Sequence, residues 1–171
     1  DRATGKEIAE RAGSTSAAVN YYYGGIEGLY AAVLVEAHRR LLTYDRLVAL
    51  AQGPGASIDK LKILIGLIAA AIIAPASSTW VLRVLSREIL APSQAFPVLL
   101  NQEVLPKKQV VTGLVADILG VPADHPAVGR CLLNMVSPFA MLLLGNRQLL
   151  SQVLPDLFAP APGAQEAIIA H

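Results

Sequence analysis

The residues best suited to chemistry form a short polar segment near the N-terminus. Residues 14–18 are all serine, threonine or alanine, and Asn20, Tyr21 and Tyr22 follow closely. Small side chains let a helix approach the major groove, and amide and phenol groups can hydrogen-bond to phosphates and base edges. The pattern predicts a DNA contact supported by residues of the preceding segment. The predicted DNA-binding residues are Thr4, Lys6, Thr15, Ser16, Ala17, Asn20, Tyr21 and Tyr22.

Several of these side chains also have a purely structural interpretation. Neighbouring positions on a helix point about 100° apart, so one of Tyr21 and Tyr22 could contact phosphate while the other packs the small domain. Asn20 could contact an adenine edge or remain solvated. Lys6 opposes the helix dipole, which suits a phosphate contact as well as a plain surface lysine. We expect Tyr23 to anchor the small core.

Two short helices joined by a tight turn must position these groups. Thr4 and Glu7 have the spacing of a capping box, which marks a helix start. Gly13 is a stop signal, and the hydroxyls that follow it can cap a second helix, which breaks at Gly24 and Gly25. This is the pattern of a helix-turn-helix, in which the second helix enters the major groove.

The rest of the chain shows helical periodicity almost throughout, so the predicted fold class is all-α. We expect a third helix from Ile26 that fades in the loop at residues 52–55 and straddles two domains. Pro106 predicts a kink within residues 96–119, and residues 126–144 form the last long helix. The tail at residues 159–163 is expected to be loose. The DNA-binding domain would cover residues 1–45, and a ligand-binding and dimerisation domain would cover residues 46–171.

The N-terminal motifs closely resemble the DNA-binding signature of the TetR family. The resemblance is carried by residues 6–13 (KEIAERAG), 20–24 (NYYYG) and 27–30 (EGLY). It implies a positioning helix, a recognition helix and the start of a connecting helix. In the second half, residues 85–92 (LSREILAP), 105–106 (LP) and 118–120 (ILG) resemble the CecR-type branch of that family. The resemblance implies a homodimeric regulator of transport or drug-tolerance genes.

The chain departs from the family pattern at two positions near the third helix. Gly25 and Ile26 stand where such proteins usually carry a serine or aspartate and then a phosphate-contacting lysine. One helix cap and one phosphate contact are therefore in question. Position 20 is Asn20 where many members have tyrosine, a form that one branch uses. The helix expected before Thr4 is absent from the chain, and we expect it to lie upstream of Asp1.

Two further sets of residues complete the predicted regulator. Aromatic and methionine side chains favour an adaptable apolar pocket, although at helical spacing they can also be plain core. The predicted ligand-binding residues are Trp80, Arg83, Phe96, Met135, Phe139 and Met141. A polar group among Arg83, Arg87 and Glu88 would orient the ligand, unless these residues form an exposed ion pair. The resemblance implies that the apolar last long helix pairs with its copy through Val128, Leu132, Val136 and Leu143.

The composition indicates a globular and unusually apolar protein. Hydrophobic residues make up 54% of the 171 residues and charged residues 16%, with a net charge of +1. The longest apolar runs, residues 63–76 and 135–144, are shorter than the roughly 20 residues that span a bilayer, so we expect no membrane partner and a cytoplasmic protein. The three histidines lack paired ligand spacing, and we expect no metal, no cofactor and no enzyme activity.

The function predicted from the sequence is a DNA-binding transcriptional regulator. Its partners would be double-stranded operator DNA, a second copy of the chain and a small, largely apolar effector that releases repression. The alternative is a helical small-molecule-binding or interaction protein that has lost DNA binding. Five basic and five acidic residues in the first 40 positions leave that region neutral, which favours this alternative.

Overall fold

Helices are the regular elements in the computed structural model, which describes residues 4–73 and 79–158. The predicted all-α class is confirmed. The predicted loose tail at residues 159–163 lies outside the described residues. The helices are α1 (Gly5–Arg11), α2 (Ser16–Tyr23), α3 (Ile26–Leu41), α4 (Tyr44–Gln52), α5 (Ser57–Ile73), α6 (Thr79–Leu90), α7 (Phe96–Leu99), α8 (Leu105–Leu119), α9 (Pro126–Leu144), α10 (Arg147–Val153) and α11 (Pro155–Phe158).

The caps of the first two helices follow the predicted pattern. Thr4 Oγ1 accepts a hydrogen bond from the Glu7 N–H at 3.3 Å, and the Thr4 N–H donates to Glu7 Oε2 at 2.8 Å. Thr15 caps α2 by accepting from the Ala18 N–H at 3.1 Å. Gly24 ends α2 in the left-handed conformation, with φ of 70°. These caps determine where α1 begins and where α2 begins and ends, so that the two short helices lie on either side of a tight turn.

The third predicted helix is two helices, α3 and α4. Leu42 adopts an extended backbone, with φ of −163°, and its side chain is buried beside Leu47 and Leu64. Thr43 then caps α4 by accepting from the Arg46 N–H. The uninterrupted helix expected from the sequence is therefore wrong, because periodicity does not reveal that Leu42 leaves the helix to enter a second core cluster.

The segment from α7 to α8 runs on through a π-helical turn, Leu100–Val104, where the Leu105 N–H donates to the Leu100 carbonyl. A proline inside a helix donates no hydrogen bond, and its ring crowds the carbonyl four residues earlier. The widened turn immediately before Pro106 relieves this crowding. At the position of the predicted kink the structure has a π turn, within which Glu103 is buried.

The centre of the fold is α3, which packs on α2 at one side and on α6 and α7 at the other. Its buried residues join those of α6 and α7 in one cluster: Ala31, Leu34, Ala37, Val81, Leu85, Ala95 and Leu99. Two further clusters bind α4, α5, α8 and α9 together. Because α3 carries both α2 and the largest cluster, movement within that cluster would be transmitted to α2.

The long helix α9 leaves most of its surface uncovered. It is 19 residues long, and only 6% of its most apolar 18-residue window is buried, at a mean hydropathy of 1.6. By length and composition alone this helix could cross a membrane, so the argument from short apolar runs does not apply to it. The same exposed surface equally suits contact with another protein chain.

Candidate DNA interface and the junction behind it

The aromatic end of α2 points into solvent. The side chains of Tyr21 and Tyr22 are 83% and 74% exposed, and their rings meet edge to face with centroids 5.0 Å apart. Neither ring packs the small core, so the structural alternative for these two residues is not supported. Two phenol groups are presented side by side where a partner of α2 would lie.

The remaining predicted DNA-binding residues also lie on the surface. Ser16, Ala17 and Asn20 are exposed on α2. Thr4 and Thr15 are exposed as well, although each hydroxyl already accepts a capping hydrogen bond. Lys6 projects from α1, with Nζ 3.9 Å from Glu10 Oε1. The structure thus gathers the whole set on α1, α2 and their caps.

One detail of this region differs from expectation, and a second agrees with it. Tyr23 is 44% exposed, so it does not form the buried anchor that we predicted. The reason is that Val19 and Ala9 are the buried residues of these short helices, and Tyr23 lies at the last position of α2. Gly25 begins α3 without a side-chain capping bond, as its departure from the family pattern implies.

A glycine sets how closely α2 and α3 approach. A Cβ atom placed on Gly28 would lie 1.7 Å from the Tyr23 carbonyl oxygen. Backbone atoms cannot move aside as a flexible side chain can, so any larger residue would force the two helices apart. Gly28 therefore fixes the angle at which α3 presents the recognition helix.

A buried carboxylate ties the start of α3 to α6. Glu88 is 1% exposed and accepts from the Tyr30 hydroxyl at 2.8 Å. Its other oxygen accepts from the Ser93 N–H and hydroxyl at 2.9 and 3.0 Å. Burial, together with the hydrogen bond to Glu88, raises the pKa of Tyr30 to about 12. The exposed ion pair considered for Glu88 is therefore wrong, because its carboxylate is buried among these partners.

A second buried carboxylate ties the end of α3 to the π turn. Glu103 is 3% exposed and accepts from Arg39 Nε and Lys107 Nζ, both at 2.7 Å. Burial alone would raise the pKa of Glu103, but the hydrogen bonds and charges of Lys107 and Arg39 together hold it below the usual range. A buried carboxylate with two cationic partners is satisfied, whereas removal of one partner would leave uncompensated charge.

His38 completes this cluster as a neutral imidazole. Lys107 Nζ lies 2.9 Å from His38 Nδ1, which accepts the hydrogen bond when that nitrogen is unprotonated. Burial, helped by the charge of Lys107, lowers the pKa of His38 to about 4. No local pattern in the sequence indicates this role of His38, although Glu103 and Lys107 have the four-residue spacing of a single helix face.

Beside Arg39 lies a groove of about 470 Å³, which we call the junction groove. Its walls come from the end of α2, from α3, from α7 and from the π turn. The residues that line it are Tyr22, Tyr23, Gly28, Ala31, Ala32, Val35, Glu36, Arg39, Val98 and Gln102. None of the six predicted ligand-binding residues is among them.

The six predicted ligand-binding residues are divided between two environments. Trp80 and Phe96 pack against the cluster that contains α3, and the Arg40 guanidinium lies 5.3 Å above the Trp80 ring. Met135 and Phe139 are half-buried on α9. Arg83 is exposed, and Met141 is 68% exposed, so neither side chain faces the interior where a pocket would form. This corrects the prediction for both.

The predicted dimer residues need a similar correction. Val128 is 1% exposed and packs with Val115 and Ala116, and Leu132 is half-buried against the same cluster. The Val128 side chain therefore stabilises the fold and is not available to a partner, whereas half-burial leaves part of Leu132 accessible. Val136 is 53% exposed and Leu143 is half-buried. The exposed apolar stripe of the last helices consists of Leu133, Val136, Met141, Leu144, Leu149 and Val153.

Comparison with known families concerns the larger part of the chain. Residues 58–169 match a family described as the HTH-type transcriptional dual regulator CecR, C-terminal domain. The match covers roughly two thirds of the chain, begins within α5 and leaves α1 to α4 outside. No curated protein sequence matches the chain.

Proposed function

The chain belongs to the TetR-like transcriptional regulators that share the CecR C-terminal domain, and from this premise we propose that it is a repressor released by a small molecule. The observation that carries the proposal is the geometry of α1 and α2. Capped helices on both sides of a tight turn support an outward-facing row of polar and aromatic side chains. A helix presented in this way suits the major groove.

We propose that the exposed stripe on α9 and α10 is the dimer interface. Such an apolar surface is costly to leave in water, and pairing of α9 and α10 with the same helices of a second copy would bury it. A dimer would place two recognition helices about one turn of DNA apart, roughly 34 Å. The interface is centred on Leu133, Val136 and Met141 instead of Val128 and Leu132.

The effector would be a small, largely apolar molecule that favours a different spacing of the two recognition helices. Trp80 and Phe96 support this part of the proposal, because both pack against the cluster that contains α3. A ligand shifts such an equilibrium only by its difference in affinity for the two states. A regulator of this kind works in the cytoplasm, where the operator is accessible.

The experiment is a fluorescence-anisotropy titration of the full-length protein on DNA from immediately upstream of its gene, repeated at several salt concentrations. Specific binding should weaken steeply with salt, since phosphate contacts release counterions. Tyr21→Ala should weaken binding roughly tenfold, on the order of 1.4 kcal/mol. Tyr44→Ala is the matched control, because Tyr44 is an exposed tyrosine on α4, away from the recognition helix.

A second function is favoured by two specific observations. No charged residue occurs on α2, and Gly25 leaves the start of α3 uncapped. Both features suit a helical small-molecule-binding or interaction protein that has lost DNA binding. Absence of any salt-sensitive binding by an intact dimer would establish this alternative and reject the repressor.

A further inference from the structure

We propose that the junction groove binds a small planar aromatic carboxylate. This site is distinct from the interior set around Trp80 and Phe96. It deepens the proposed function, on which its effect on DNA rests, but binding to the groove itself does not depend on DNA.

The size of the groove suits a small ligand. Its volume of about 470 Å³ lies within the range of roughly 300–1,000 Å³ that is usual for small-molecule sites. Tyr22 and Tyr23 contribute to its lining, together with small aliphatic residues of α3 and Val98 of α7. A flat aromatic body fits between such walls better than a long flexible chain.

The chemistry of the groove selects an anion. Arg39 uses Nε for its hydrogen bond to Glu103, and among the described residues its two terminal nitrogens donate no other hydrogen bond. A guanidinium with a free edge recognises a carboxylate through two parallel hydrogen bonds. Glu36, the acidic residue in the wall, is already paired with Arg40 Nε at 2.8 Å. Gln102 adds an exposed amide at the same end.

The position of the groove links occupancy to DNA. Tyr22 lines the groove and also belongs to the predicted DNA-binding set. A ligand that packs against the Tyr22 ring would compete with the orientation needed for a phosphate contact. It would also lie across Gly28, where α2 and α3 touch. Occupancy of the groove should therefore weaken operator binding without any change in the interior of the larger domain.

The test uses 2-naphthoate as the probe and isothermal titration calorimetry of the full-length protein without DNA. We expect Arg39→Lys, which keeps the charge but loses the planar fork, and Val98→Trp, which fills the groove edge, each to weaken binding at least tenfold. The uncharged probe 2-naphthamide should bind at least tenfold more weakly than 2-naphthoate. Arg83→Lys is the matched control and should leave affinity unchanged, because Arg83 is an exposed arginine on α6 that does not line the groove.

Three results would overturn the proposal. They are no measurable binding of 2-naphthoate at millimolar concentration, equal affinity for the amide, or weakening by Arg83→Lys but by neither groove variant. If Arg39→Lys unfolds the protein, contacts between probe protons and the Val98 methyl groups, measured by NMR on the unmodified protein, decide the question. Their absence from a bound complex rejects the groove.

DNA binding without the probe separates this inference from the proposed function. Naphthoate binding that is sensitive to the groove variants, in a protein that binds no DNA, supports the groove and rejects the repressor. Salt-sensitive operator binding in a protein that fails the naphthoate test leaves the repressor in place and rejects the groove.

Discussion

The described part of the molecule exposes two apolar surfaces of different chemistry. The end of α2 presents tyrosines, each of which carries a hydroxyl that can donate or accept a hydrogen bond. The stripe on α9 and α10 presents leucine, valine and methionine, which offer no strong hydrogen-bonding group. Exposed hydrophobicity alone therefore does not identify a partner. Phenol groups suit a hydrated, charged surface such as DNA, whereas aliphatic side chains suit another apolar surface.

The two surfaces also differ in how the fold supports them. α9 packs against α5, α6 and α8, so its position is set by several elements at once. α2 packs on α1 and α3, and its angle is set where Gly28 meets the Tyr23 carbonyl. The position of the tyrosine surface can therefore change through α3, while the position of the stripe on α9 is fixed. A regulator needs this difference if a ligand is to move one surface and not the other.

The largest effect should come from placing a charge on the aliphatic stripe. Met141→Glu would bury a carboxylate without a partner in the dimer, at a cost of about 3 kcal/mol, which is on the order of a hundredfold in dissociation constant. Sedimentation velocity should show dissociation into monomers, and DNA affinity should fall with it. Leu90→Glu alters an exposed leucine on α6 and should leave the dimer intact. A stable Met141→Glu dimer would show that the stripe is not the dimer interface.

Acid pH should weaken the packing of α3 through His38 and leave the stripe on α9 and α10 unchanged. The pKa of His38 is about 4 in the folded chain, below its usual 6.5. Between pH 4 and pH 6.5 the unfolded state therefore binds more protons than the folded state. This contribution of His38 to the free energy of unfolding is therefore fully present above pH 6.5. As the pH drops towards 4, the free energy of unfolding falls by at most about 3 kcal/mol.

Urea unfolding at a series of pH values measures this loss. His38→Gln should flatten the curve between pH 6.5 and 4, because the variant has no proton to bind there. A curve for His38→Gln as steep as that of the unmodified protein would assign the acid sensitivity to other groups.

Gly28→Ala should loosen the attachment of the tyrosine surface. The added methyl group meets backbone, so we expect a loss of about 1–3 kcal/mol in the free energy of unfolding, and weaker DNA binding. Gly113→Ala is the control, since nothing lies within 4 Å of the Cβ position on that helical glycine. It should stabilise α8 by about 0.5–1 kcal/mol. Equal melting temperatures for both variants would contradict the close approach.

The smallest effect should come from removing a single hydroxyl. Tyr21→Phe keeps the ring and loses the hydrogen bond, so DNA affinity should fall by about 1 kcal/mol, roughly fivefold. Tyr44→Phe should have no effect. If Tyr21→Phe also leaves affinity unchanged, the ring and not the phenol group makes the contact, and the two exposed surfaces are chemically more alike than we infer.

Local signals in the sequence predicted the ends of the first two helices well. Thr4, Thr15 and Gly24 determine helix ends through their own backbone and side-chain chemistry, so their roles could be inferred without tertiary structure. The same holds for the all-α class, which follows from helical periodicity.

Features that depend on distant partners were not predicted. Glu88 and Glu103 are buried only because Tyr30 and Arg39 meet them from other parts of the chain. Val128 was placed on the dimer surface because the whole of α9 is apolar, and periodicity alone does not indicate which side meets α8. Long-range contacts decide such cases, and the sequence does not encode them locally.

The π turn before Pro106 has a consequence for genetic change. A π turn holds one residue more than the α-helical turn that it replaces. Deletion of one codon within residues 100–102 would therefore restore a regular helix and rotate α7 by about 100° relative to α8. The chain would keep its helices and the four-residue spacing of Glu103 and Lys107, but α7 would lose its register against α3. A single in-frame deletion at this turn is thus a route by which a descendant of this protein could change its regulation while preserving its fold.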